Sequence, residues 1–308
     1  MTFSFLVPVT RRTFLQQTLQ SIAAQSGEFE VVLVDDSGDG FAGEYLPEEL
    51  HSRTVIIENS IKSGIKDPTI PWNQGLWKAS GEFVILVGDD DFIDSEYLEA
   101  MTALIDKFPD HDLYRCRLRI VNGTGEVQDL GFRHAETETW DEFLYMRNRY
   151  LKPHSTVEYC ARREKLLALG GYASLPLALG SDDLTWLLMS FDKPIVSTNN
   201  TFGNWRISEN SICGSDHNRA LRQKAHLELF ERERQIIEAY EPEAIPRELL
   251  LQALHYRFQG FLNNAGFKGR VRRFVSYLLP SALEKTLVSV YKRSKNQDRK
   301  PHFIPSDE

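Results

Sequence analysis

Over roughly its first ninety residues the chain alternates short apolar runs with segments of helical period, and this alternation restricts the fold more than any other feature. FSFLVPV (3–9) is apolar and β-prone, EVVLVDD (30–36) reads as a buried strand, RTVIIEN (53–59) as a third, and EFVILV (82–87) as a fourth. Leu15, Leu19 and Ile22 recur on one face and predict a helix over about 13–25. Pro71 suits the first turn of a short helix, WNQGLWKAS, which Gly81 ends. Strand, helix, strand, strand, helix, strand implies parallel pairing with right-handed crossovers. The expected class is therefore α/β, with a nucleotide-binding type of sheet.

Two of these strands run into acids, Asp35–Asp36 and Asp89–Asp90–Asp91. The carboxyl ends of parallel strands are where open α/β sheets bind ligands. Adjacent carboxylates repel one another, and a cation or cationic ligand relieves that repulsion. The competing reading is a solvated acidic turn that caps the next helix. A further pair, Asp182–Asp183, opens the apolar segment LTWLLMSF, where acids also suit the helix macrodipole.

Beyond residue 95 a helix is expected, with Tyr97, Met101, Leu104 and Phe108 on one face. LYRCRLRIV (113–121) has period two, and its basic face of Arg115, Arg117 and Arg119 is expected to be solvated. Helices are predicted at 139–151, 163–171 and across 215–264. With 308 residues, 42% of them apolar, the chain suits one large domain or a domain with an appendage. Cys116, Cys160 and Cys213 form no CxxC pair, which fits a reducing, cytosolic compartment without a zinc site. No basic-then-apolar leader and no spanning apolar run is seen, so neither secretion by a cleavable leader nor a membrane span is expected. None of His51, His111, His134 or His154 lies beside an acidic cluster in sequence, and the histidines are expected to be incidental.

Taken in order over residues 3–212, VPVTRRTFLQQTLQSIAAQ, EVVLVDDSGDG, NQGLWKASGEFVILVGDDD, EYLE, the GGY at 170–172 and SDDLTW resemble glycosyltransferase family 2, nucleotide-sugar enzymes of the GT-A fold. The resemblance implies a Rossmann-like, mostly parallel central sheet with a helical C-terminal extension. It implies a catalytic domain over 1–212, with a nucleotide half at about 1–110 and an acceptor half at about 111–212, followed by a helical region at 213–308. Pro8, Val9, Asp35 and Asp36 would line the base and ribose pocket, and Asn73 and Gly75 would pass beside the diphosphate. Asp89, Asp90 and Asp91 match the metal-binding DxD motif for Mn²⁺ or Mg²⁺. The family often has aspartate where Gly88 stands, which leaves the register open between Asp89 with Asp91 and Asp90 mainly. Asp183 matches the base that deprotonates the acceptor hydroxyl in inverting members, Asp182 stands where glutamate is more common, and Arg206 in NWRISENS would assist the diphosphate. A family histidine is replaced near Ser208.

The implied activity is metal-dependent transfer from a nucleotide-sugar, a UDP-sugar first, to a glycan or glycolipid hydroxyl in cell-surface polysaccharide or glycolipid synthesis. Nucleic acid is not an expected partner. The alternatives are an inactive nucleotide-binding module and a nucleotidyltransferase, although the loop TRRTF has none of the glycines that hold a triphosphate. Net charge is −8, divided into +6 over 268–308 and −14 before it. The basic stretch 268–300 carries an apolar stripe. It reads either as a peripheral anchor on an anionic membrane at the cytoplasmic face or as a surface packed on the catalytic domain or on a second subunit of a homo-oligomer.

Overall fold

The computed structural model describes residues 1–64, 67–207 and 219–264. Residues Met1–Phe261 form one compact unit. Strands β1 (Phe3–Val9), β2 (Phe29–Asp35), β3 (Thr54–Glu58) and β4 (Phe83–Leu86) lie in the order β3-β2-β1-β4, all parallel. Helices α1 (Leu15–Ala23) and α2 (Thr69–Lys78) connect them. Beyond β4 the sheet continues through β9 (Tyr159–Arg162), antiparallel to both neighbours, then β6 (Leu113–Val121), β10 (Ile195–Arg206) and the short β5 (Phe92–Ile93). Because β9 is reversed, β6 again runs parallel to β4, and β10 parallel to β6. Strand β7 (Val127–Leu130) pairs with β6, and β8 (Thr137–Glu138) with β10.

Alternate strand residues divide the core. Phe5, Val7, Val31, Leu33 and Ile85 meet Leu15, Leu19 and Ile22 of α1 and Tyr97, Leu98, Met101 and Ile105 of α3 (Tyr97–Lys107). Helix α2 covers the other face. A Cβ on Gly75 would stand 3.4 Å from Val34 Cγ2 and 3.6 Å from Leu6 Cβ, so the bare backbone sets how closely α2 approaches the sheet. This helix begins two residues earlier than expected, at Thr69, whose N–H is accepted by Asp67 Oδ1 at 3.0 Å. Pro71 is then still in the first turn, where a missing N–H breaks no helical bond. Helices α4 (Trp140–Asn148), α5 (Arg163–Ala168), α6 (Ser181–Met189), α7 (Arg219–Ala239) and α8 (Arg247–Asn264) complete the described chain. The capping box of Thr139 and Glu142 starts α4.

Two expectations need correction. RTVIIEN is not a buried strand like its neighbours: β3 is the sheet edge, and Val55 and Ile56 are exposed. The basic face of β6 is not solvated. Arg115 and Arg117 are buried, Arg115 pairing with Glu138 at 2.8 Å and Arg117 donating to Gly131 O at 2.9 Å, while Arg119 pairs with Asp94 at 2.7 Å. Nor is β6 the half-exposed strand that period two implies: it is buried on both faces over most of its length, and β10 beside it sets Phe202 under both Arg117 and Arg119, 4.9 and 4.1 Å from the ring centre. The stretch 268–300, Ser208 and Cys213 lie outside the described residues; Cys116 and Cys160 are buried free thiols. Among the described residues no helix is long and apolar enough to cross a membrane.

Arg115→Ala should therefore cost about 3 kcal/mol, because it leaves the buried Glu138 with Lys152 alone. Ile56→Thr on the exposed edge should stay within about 0.5 kcal/mol. Chemical denaturation midpoints of the two variants check this ordering.

Candidate active site

The acids after β2 and β4 share one rim with the loop after β1, but they do different work. Asp35 Oδ1 accepts from the Ser37 N–H at 3.0 Å and Oδ2 from the Ala42 N–H at 2.6 Å, which shapes the loop after β2. Asp36 Oδ1 accepts from Ser63 N, Ser63 Oγ and Asn59 Nδ2, and Oδ2 from Gly64 N at 2.7 Å. Both carboxylates are buried and hold loops in place along this rim. Pro8 and Val9 end β1, directly beside them in the register Pro8↔Val34 and Val9↔Asp35.

The three-aspartate turn is likewise divided. Asp89 Oδ2 accepts from Thr10 N, Thr10 Oγ1 and Arg11 N at 2.8, 3.0 and 2.9 Å, and Oδ1 meets Arg11 Nη2 at 2.6 Å. It anchors the β1–α1 loop across the rim. Asp90 Oδ2 faces the same guanidinium nitrogen at 2.9 Å, and Asp91 Oδ1 accepts from the Arg206 N–H at 3.0 Å. Asp90 Oδ1 and Asp91 Oδ2 accept no hydrogen bond from another described residue. They converge over Gly88, 3.2 and 3.3 Å from where a Cβ would stand. Burial is the first cause that raises the Asp91 carboxyl well above its ordinary range, with the charge of Asp90 adding to it. Asp90 is raised too, by burial first, against the pull of Arg11. Two hard oxygens facing one small space, on carboxyls that burial has raised, fit a divalent cation such as Mg²⁺ or Mn²⁺.

Arg206 is buried and fully engaged with protein. Nε donates to Asp90 O at 2.9 Å, Nη1 to Asn122 O at 3.0 Å and Nη2 to Gln17 Oε1 at 2.6 Å, with the Phe14 ring 4.2 Å away. It braces the acidic turn from behind. Asn73 donates to Tyr172 O at 3.1 Å and accepts from Tyr172 N at 2.8 Å, and the next residue's N–H goes to Thr185 Oγ1 in α6. Asn73 therefore ties α2, and through it the parallel half of the sheet, to the helix that carries Asp182 and Asp183.

Left-handed Gly180 turns the chain into α6 and places Asp182 and Asp183 in its first turn. Asp183 is buried. Its Oδ1 lies 2.5 Å from Arg147 Nε and 2.7 Å from His154 Nε2, and its Oδ2 lies 2.5 Å from Arg257 Nη2 and 3.3 Å from Arg147 Nη2. Burial opposes ionisation here, but Arg147 and Arg257 outweigh it and hold the carboxyl well below its usual range. Asp182 is half-buried, its Oδ2 3.5 Å from His154 Nε2. Ligand atoms of His154, Asp182 and Asp183 lie within 4.8 Å of one another, but the two guanidiniums on Asp183 disfavour a cation there. Of the two acidic groups the rim is the better cation site.

The expectation that the histidines are incidental is overturned for His154, which contacts the Asp183 carboxylate and lies 3.0 Å from Tyr159 Oη. His134 is also buried, 3.5 Å from Glu158. Sequence reasoning also missed Arg147 and Arg257, which reach Asp183 from 36 and 74 residues away, with no spacing signal to betray them.

These features define a GT-A class sheet, Rossmann-like and mostly parallel, with helices following it, and solved structures share it. A Staphylococcus aureus TarS fragment in complex with UDP-GlcNAc superposes with a TM-score of 0.65 at 23% identity, over 89% of this chain and 77% of that one. A Pyrobaculum calidifontis mannosyltransferase in complex with GDP-Man and Mn²⁺ gives 0.50 at 17% identity, over 96% and 82%. In sequence, the poly(ribitol-phosphate) β-N-acetylglucosaminyltransferase TarS of S. aureus is 31% identical over 134 residues, 42% of this chain and 23% of that protein. The poly(ribitol-phosphate) β-glucosyltransferase of Bacillus spizizenii is 28% identical over 131 residues, 41% and 20%. The matched part is thus about a fifth to a quarter of these relatives' length. Residues 4–167 match the family model of glycosyl transferase family 2, and the chain belongs to that family.

Buried Glu158, beside His134, is raised to about 8 by burial, against Arg115; Glu233, beside Arg257, is raised to about 7 by burial, again against its arginine. The folded chain keeps protons that the unfolded chain releases above about pH 4.5, so stability should fall as pH rises from about 5 to about 8. Each group contributes at most about 1.4 kcal/mol per pH unit. Denaturation midpoints across that range should show the fall, and Glu158→Gln should flatten it.

Proposed function

We propose that this chain is a metal-dependent, inverting glycosyltransferase that moves a sugar from a UDP-sugar to a hydroxyl of a polyol-phosphate or related cell-surface polymer. The observation that carries the reading is the convergence of Asp90 Oδ1 and Asp91 Oδ2 over Gly88 on the rim that Asp35 and Asp36 shape. The donor and acceptor classes follow the relatives, one of which is solved with UDP-GlcNAc and two of which act on poly(ribitol-phosphate). The Mn²⁺ in the mannosyltransferase structure agrees with the cation.

In this reading residues 1–110 take the donor and 111–212 the acceptor. Pro8, Val9, Asp35 and Asp36 wall the nucleoside pocket, and Asn73 and Gly75 lie along the diphosphate. Asp90 and Asp91 hold the divalent cation, while Asp89 and Arg206 fix the turn that presents them. When bound, that cation neutralises the diphosphate as it departs. Asp183 takes the proton from the acceptor hydroxyl, and the oxygen forms the new bond to sugar C1. The C1–O bond to phosphate breaks on the opposite face, and its electron pair leaves with the nucleoside diphosphate. One displacement inverts the anomeric centre, with no covalent enzyme intermediate. Asp182 and His154 flank the base.

Asp183→Asn should lower transfer from UDP-N-acetylglucosamine to a ribitol phosphate oligomer by about 10² to 10⁴, while UDP affinity stays within about twofold. A matching loss of UDP affinity, measured by calorimetry, would assign Asp183 to binding instead.

A further inference from the structure

We propose that Arg257 is a latch on the base: it occupies Asp183 at rest and moves to Glu233 when an acceptor hydroxyl arrives. The inference rests on the reading of Asp183 as the base. A carboxylate accepts a proton through a lone pair that faces the incoming hydroxyl at about 2.6–3.2 Å. Each oxygen of Asp183 already has two nitrogens within 3.3 Å: Arg147 Nε and His154 Nε2 beside Oδ1, and Arg147 Nη2 and Arg257 Nη2 on Oδ2. An acceptor therefore has to displace one of them.

Arg147 is poorly placed to leave. Two of its nitrogens face Asp183, and Nη1 donates to Lys152 O at 2.6 Å. His154 is held through Nδ1 by Tyr159, and its ring packs on Phe143 with centroids 5.8 Å apart. Arg257 meets the carboxylate through Nη2 alone. Its Nη1 already faces Glu233 Oε1 at 3.3 Å and Asn148 Oδ1 at 3.2 Å. Asn148 also holds Glu233 Oε2 at 3.0 Å, so the second seat is built and oriented. A small cavity of about 10 Å³, lined by Arg257 itself with His226, Leu229, Phe230, Glu233 and Phe258, lies on the Glu233 side of this ion pair.

Moving Arg257 from one buried carboxylate to the other exchanges ion-pair partners without stranding a charge. Glu233, raised by burial to about 7, gains a full counter-ion in the exchange. The functional consequence is selective. With donor bound and no acceptor present, water is the competing nucleophile, and a latched Asp183, crowded by nitrogens at both oxygens, offers it no open approach. The latch thus suppresses wasteful donor hydrolysis.

The test compares UDP-N-acetylglucosamine hydrolysis without acceptor and transfer to a ribitol phosphate oligomer in the full chain and three variants. Arg257→Gln should raise acceptor-independent hydrolysis at least about fivefold and lower the ratio of transfer to hydrolysis. Glu233→Gln, which keeps a hydrogen-bonding side chain beside Asn148 but removes the charged seat, should lower kcat for transfer about threefold or more without raising hydrolysis. Asp183→Asn should lose both activities. Hydrolysis in Arg257→Gln at or below that of the unmodified chain, with Asp183→Asn inactive, would overturn the latch and leave the base in place. Transfer by Glu233→Gln at or above the unmodified rate would also overturn the latch. Full transfer by Asp183→Asn would overturn the base and the latch together.

Discussion

Three neighbouring carboxylates at the end of a buried strand repel one another, and the rest of the rim is built to contain that repulsion. Asp89 is the anchor, since both its oxygens bind the loop after β1 through Thr10 and Arg11. Its bonds hold that loop over the sheet and bring a guanidinium between Asp89 and Asp90. Arg206 supports the turn from behind with one backbone and one side-chain bond, and is itself held by Asn122 and Gln17. One oxygen each of Asp90 and Asp91 then remains aimed into the space that Gly88 leaves open. A side chain at position 88 would crowd those oxygens, so a glycine there leaves space beside Asp90 and Asp91.

The same residue type serves the opposite purpose on α6. Asp91 is buried among other acids and is pushed toward the neutral form, whereas Asp183 is buried among two arginines and a histidine and is pulled toward the charged one. A group of carboxylates short of positive charge invites a cation. A carboxylate saturated with donors has to be released before it can accept a proton. The chain couples the two regions through Asn73, whose amide fixes Tyr172, and through the next peptide, which is fixed by Thr185 of α6. Geometry at Asp183 is therefore tied to the rim of β1, β2 and β4 by short covalent and hydrogen-bonded links.

What could be read from sequence follows from the range of the forces involved. The strands FSFLVPV and EFVILV, the helix face of Leu15, Leu19 and Ile22, and the acids at strand ends are local patterns, and the folded chain keeps them nearly in place. Helix α2 shifted by two residues because Asp67, outside the apolar pattern, supplies the acceptor that starts it. The basic face of β6 was misread because alternation shows which residues share a face but not whether another layer covers it; Phe202 and Glu138 come from distant segments. His154, Arg147 and Arg257 left no local trace for the same reason, since each is a single residue in an ordinary surrounding that only tertiary packing brings to Asp183.

The central claim is that the Asp90–Asp91 turn becomes a diphosphate site only when a divalent cation completes it. Calorimetric titration of UDP into the chain, with and without Mn²⁺, tests this most directly when repeated on Asp91→Asn. The account predicts that Mn²⁺ tightens UDP binding at least about tenfold in the unmodified chain, about 1.4 kcal/mol, and has no effect in the variant. Equal UDP affinity with and without Mn²⁺ in the unmodified chain, or an undiminished Mn²⁺ effect in Asp91→Asn, would contradict it.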